Sequence, residues 1–298
     1  LCASLLMDTD DAVAELRFDV AMDDTTGLLS LVGEDLEPLD PPAFVGAESA
    51  SFTRGRFEFG GLMGLADAIV DVLPDDDREQ ARAALLQTRG FIEPVLDAIG
   101  PEFYSVMRFD KPFDEDAAQS LTALAAADER VLRNTMTFFG ANVGAKPRAF
   151  EGAQIFETEG FELAGAVHAG WLFIGTTPMV EDAIRSTRAG TSGLADEPRL
   201  ERALETIDGV GVLSGFTDFE RSLEWFYHTS EQRAEQLRAF ADERNLPPDR
   251  RDALLASIDW VDALPDIEAF TEFVGDGVWA VRATPSGYRG RVLWLRPE

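Results

Sequence analysis

The chain has 298 residues, with 26 basic side chains set against 55 acidic ones and a formal net charge of -29. Affinity for nucleic acid and for anionic membrane surfaces rests on clustered lysine and arginine, whereas the lysines here are Lys111 and Lys146 alone, so neither partner is expected. Cys2, the single cysteine, rules out an internal disulfide, and no apolar run approaches the ~20 residues of a membrane helix.

In chain order, Leu5 to Met7 and Ala12 to Met22 read as a hairpin joined through Asp8 to Asp11. The hairpin lies near a chain end without an initiator methionine, which points to a longer parent chain. A short apolar segment, Leu28 to Val32, leads into a polar connection from Gly33 to Pro42. Ser49 to Phe59 alternates as a strand. Leu62, Leu65, Ala66, Ile69, Val70 and Leu73 then recur at helical spacing, and Pro74 ends that helix. Asp76 and Glu79 have capping-box spacing for a helix from Arg78 to Arg89, with a short third helix started by Pro94 and closed by Gly100. Glu102 to Phe109 and Ser120 to Ala126 are expected strands, followed by a helix from Glu129 to Phe139.

Arg148 to Phe156 alternates in part as one strand, and Phe161 to Thr176 is a longer apolar run after a turn at Gly160. Thr177 is placed to cap the next helix, Pro178 suits its first position, and Gly190 is its stop. A second helix runs from Pro198 to Ile207. Val210 to Phe216 is a strand, Thr217 and Glu220 have capping-box spacing, and Leu223 to Ala241 carries a helical apolar face. Pro247 and Pro248 open a helix to about Leu264. A closing meander is predicted from Ile267 to Val274, Val278 to Ala283 and Arg289 to Leu295.

These elements predict an α+β fold, a mixed, mostly antiparallel sheet covered on one side by helices. Ser51 to Phe59 parallels Gly211 to Phe219, with Gly55 matching Gly215 and Phe59 matching Phe219, so two related strand-helices-strand units are expected. The division is residues 1–44 as hairpin and connector, the tail of a preceding unit; 45–205 as the first unit; and 206–298 as the second, packed as one compact body.

No motif assigns catalytic residues. His168 falls in an apolar strand and His228 in an amphipathic helix, without zinc spacing, and Ser214 lacks the spacing of a nucleophile elbow. Asp8, Asp10 and Asp11 start a calcium-loop pattern, but Val13 stands where glycine is needed. Gly60, Gly61 and Gly64 follow a strand without the Lys-Ser/Thr of a phosphate loop, flanked by Glu58 and Asp67. Asp75 to Asp77 and Asp114 to Asp116 read as capping and solvated acids rather than a joint cation site. Neither a cofactor nor a metal site is expected.

Phe150 to Phe156, Gly170 to Thr176 and Gly193 to Pro198, with the strand-helices-strand order from Phe44 to Phe109, resemble bacterial proteins grouped as domain of unknown function 3352. The likeness spans roughly residues 40 to 296. It implies a secreted, periplasmic or envelope-attached protein, and it supplies no catalytic residues. The expectation is a non-enzymatic extracytoplasmic binding or scaffold module with an envelope protein as partner. The alternatives are a hydrolase or transferase using acidic residues, or low-affinity divalent-cation binding.

Overall fold

The computed structural model describes residues 2–7, 9, 12–22, 31–32, 40–113, 117–158, 163–190, 193–207, 211–243 and 246–297. Strands β1 (Cys2–Met7) and β2 (Ala12–Ala21) form the expected hairpin. Asp8, Asp10 and Asp11 lie outside the described residues, as do most of Leu28 to Val32, Gly33 to Pro42, and Asp114 to Asp116. Strand β3 (Ser51–Arg56) is shorter than predicted, because Phe57 leaves the ladder to bridge Val32 and residues Phe59–Gly61 tighten into a 3-10 turn.

Helix α1 (Leu62–Asp71) is followed by α2 (Asp75–Ala98), one helix where two were predicted. Asp76 lies within its first turn, so the Asp76/Glu79 capping box does not form, and Asp75 to Asp77 instead oppose the positive end of the dipole. Pro94 sits inside α2, four residues after Gly90 on an exposed surface where water can satisfy the freed carbonyl. Strands β4 (Ile99–Phe109) and β5 (Ala118–Ala126) lead to α3 (Glu129–Val143). The Asp128 carboxylate caps α3 by accepting from the N–H groups of Arg130 and Val131 at 2.9 and 3.1 Å.

The two apolar runs that follow are each a hairpin. Strands β6 (Lys146–Phe150) and β7 (Ala153–Glu157) turn at Glu151 and Gly152, with φ of 44° and 90°. Strands β8 (Leu163–His168) and β9 (Trp171–Thr176) turn at Ala169 and Gly170, with φ of 50° and 84°. Positive φ at both central residues gives the twist that a two-residue hairpin needs. Gly160 lies outside the described residues. Helix α4 (Thr177–Ala189) stops at left-handed Gly190 as predicted, but its N-cap is Thr176, and Thr177 is already helical. Helix α5 (Pro198–Ile207) has the predicted bounds.

Strand β10 (Leu213–Thr217) precedes the long helix α6 (Phe219–Glu243). Thr217 belongs to the strand, and Asp218 is the cap: its Oδ1 accepts from the Arg221 N–H at 2.9 Å. Helix α7 (Pro248–Ala256) ends before the predicted Leu264. Where a strand was expected from Ile267 to Val274, the chain makes the short helix α8 (Glu268–Thr271). Strand β11 (Gly277–Thr284) already has β10 on one side and β12 (Gly287–Leu295) on the other, so no ladder is open beside it.

All twelve described strands form one antiparallel sheet, ordered β1-β2-β12-β11-β10-β3-β4-β5-β9-β8-β7-β6. The β3–β10 pair, where Arg54 faces Ser214, joins a run of five strands ending in β1 to a run of seven ending in β6. Helices cover both faces rather than one. On the first face Phe52, Tyr104, Leu121, Phe173 and Phe216 are buried beneath α4 and α5. Phe44 wedges between them, with ring centroids 5.5 Å from Tyr104, 5.1 Å from Trp171 and 5.3 Å from Phe173. Each such side chain contributes about 1.5 to 3 kcal/mol by leaving water. On the second face Leu132 of α3 and Ala98 of α2 bury Val167 and Leu172, and Trp225 of α6 stacks on Phe109 at 4.5 Å.

Asp218 is 7% exposed and receives the Arg199 guanidinium at 2.6 Å as well as capping α6. Asp218→Ala should therefore lower unfolding free energy in urea by about 2 to 4 kcal/mol, combining a lost cap with a half-buried arginine left short of its partner. Thr217→Ala should stay within about 0.5 kcal/mol.

Candidate binding cleft

A cleft of about 690 Å³ opens between the turns at Gly46 to Ser49 and helix α4. Helical spacing puts Met179, Asp182, Ser186 and Ala189 on the side of α4 that lines the cleft, while Val180, Ala183 and Ile184 anchor the opposite side in the core. Gly152, the second turn residue of the β6–β7 hairpin, lets Glu151 reach the rim. Strand β4 contributes Arg108, whose Nη1 donates to Asp182 at 2.8 Å and whose Nη2 donates to Asp110 at 3.2 Å. Burial works against the charge on Arg108, but the hydrogen bonds to Asp182 and Asp110 outweigh it and raise its pKa above the ordinary arginine value.

The charges form a chain of pairs. Arg185 donates to Asp182 at 2.5 Å and to Glu181 at 2.9 Å, with Glu151 3.7 Å away. Arg148 joins Glu181 to Glu157 on the neighbouring hairpin, and those hydrogen bonds raise its pKa. Phe150 lies between two guanidinium groups, 5.3 Å from Arg148 and 4.9 Å from Arg185. Phe44 and Met179 supply an apolar wall. Arg188, 64% exposed and 3.7 Å from Glu151, is the most loosely held cation at the mouth.

Arg185 stands between Asp182 and Glu151, in the space where two carboxyls acting as acid and base would need substrate or water. The histidines are apart: His168 lines a cleft of about 370 Å³ beside Met136, and His228 lines one of about 610 Å³ beside Phe113 and Tyr227. Ser214 is buried in β10 opposite Arg54. The Gly60–Gly61 turn packs against Asp97 and Leu31. Among the described residues no group of three or more His, Cys, Asp or Glu is placed to hold a metal ion. The sequence marks Asp182, with Glu181, only as an acid near the positive end of the α4 dipole and gives no site role to Arg108, Glu151, Arg185 or Arg188, although Asp182, Arg185 and Arg188 follow the helical spacing of a charged stripe.

Asp182→Ala removes one partner each from Arg108 and Arg185. It should cost about 1 to 3 kcal/mol in urea unfolding, between the value of an exposed pair and that of a broken buried one.

No protein-family model matches the sequence, and no curated protein matches it. Among solved structures, crystal form III of TP0453 is similar over 87% of this chain and 81% of that chain, with 12% identity and a TM-score of 0.39. Crystal form I of TP0453 is similar over 86% and 79%, with 13% identity and a TM-score of 0.38.

Proposed function

We propose that the chain is a non-enzymatic binding or scaffold module of the bacterial envelope, acting outside the cytoplasm. The observation that carries the binding reading is the α4 cleft, whose acids are bridged by arginines while an apolar wall and the exposed Arg188 face solvent. Such a cleft offers matched charge and shape to a ligand, without a free acid and base pair. The envelope location rests on the resemblance of Phe150 to Phe156, Gly170 to Thr176 and Gly193 to Pro198 to domain of unknown function 3352. The same proposal divides the chain into units at 45–205 and 206–298, with the β1–β2 hairpin added to the second through β12.

The test is equilibrium binding of the purified chain to fractionated envelope components, beside a broad hydrolase and transferase screen. Arg188→Ala should weaken a saturable interaction about tenfold and leave the urea midpoint unchanged, because its pairing is long and exposed. Robust turnover abolished by Asp182→Asn or Glu151→Gln, with no envelope component bound, would overturn the proposal.

A further inference from the structure

Two rows of side chains cross the second face of the sheet, one in each half. Cross-strand pairing aligns Gly55, Phe103, Leu124, Leu172 and Val167 in one row. It aligns Gly215, Trp279, Val292, Leu16 and Leu5 in the other. Both rows read glycine, aromatic, aliphatic, leucine, aliphatic outward from the β3–β10 pair. In each the aromatic ring lies over the glycine, Phe103 over Gly55 and Trp279 over Gly215, where a Cβ would collide with it.

Their outer ends differ in cover. In the first row Leu172 and Val167 are 6% and 5% exposed, because α3 seats Leu132 on them. In the second row Leu5 is 61% exposed, with Met7 beside it on the same face at 64%. Leu16, Val292 and Trp294 are also partly open to solvent. The opposite face of the same strands carries ion pairs beside the buried Leu293: Arg291 and Arg17 both donate to Glu15, at 2.7 and 2.6 Å, and Arg289 donates to Asp19 at 2.7 Å.

We propose that this row, Leu5, Leu16, Val292 and the adjoining Trp294, is the docking site for an amphipathic helix of another polypeptide, seated as α3 is seated on Val167, Leu172 and Leu124. The internal counterpart specifies the occupant as a helix, since a helix covers the equivalent row. The net charge of -29 favours a helix of net positive charge, and α3 itself carries Arg130 and Arg133 against Glu129.

The probe is a synthetic peptide of the 15 residues Glu129–Val143, held helical by a hydrocarbon staple on its solvent face and titrated into the intact chain. Saturable binding is expected, with hydrogen-exchange protection gained in β2 and β12. Leu5→Ser and Val292→Ser should each weaken it at least about tenfold. Ile174→Ser, on the exposed part of the other half, should leave it unchanged. Leu5 is exposed enough that its variant keeps the fold, which the urea midpoint checks. Absence of saturation up to about 1 mM peptide, a millimolar limit on affinity, would overturn the proposal. So would equal affinity in the Leu5 variant. Dimerisation of the chain, or binding to phosphatidylcholine vesicles, abolished by the same substitutions would overturn it in favour of self-association or a lipid surface.

Discussion

The structure depends on the antiparallel pairing of β3 with β10, which joins sequence positions about 160 residues apart and makes one sheet of both halves. That pairing tolerates no side chain at Gly55, where Phe103 and Leu213 close over the backbone, or at Gly215, where Trp279 does the same. The glycines give up local strand propensity, and in exchange the aromatic rings of Phe103 and Trp279 occupy the space above them. From this line the strands continue on either side, β4, β5, β9, β8, β7 and β6 one way and β11, β12, β2 and β1 the other.

Differences between the halves are differences of cover. The first half has α3 and the β6–β7 hairpin on and beside its outer strands, so Ile155 and Phe173 are buried on one face and Val167 and Leu172 on the other. The second half ends in β1, an edge strand exposed along its whole length, with ion pairs on one face and apolar side chains on the other. The α4 cleft belongs to the covered half: its chain of guanidinium and carboxylate groups ties β4, α4 and the β6–β7 hairpin together while leaving Arg188 at the mouth. That asymmetry places a charged cleft beside the covered half and, among the described residues, an exposed apolar row at the β1 end of the sheet.

Much of the architecture was legible in the sequence because local chemistry decided it. Pro178 and Gly190 delimit α4, Pro198 starts α5, and the Gly55 and Gly215 correspondence reappears in the close approaches of the two aromatic rings. The misread places have local patterns that permit two answers. Glu151 and Ala169 occupy left-handed turn positions that usually signal their presence through asparagine or glycine, so two hairpins were read as single runs. Ile267 to Val274 is apolar enough to suggest a strand, but Ile267, Phe270 and Val274 recur at helical spacing and both ladders of β11 are already taken. The cleft was hidden for a different reason: Arg108 meets Asp182 across 74 positions, and no spacing rule reaches that far.

Native-state hydrogen exchange across β3 and β10 tests the central pairing most directly. If this pairing holds the two halves as one body, amides of β3 and β10 should exchange only through global unfolding and share one opening free energy, while those of β1 exchange far faster. Exchange of β10, β11 and β12 at a distinctly lower free energy, with β3, β4 and β5 still protected, would contradict it.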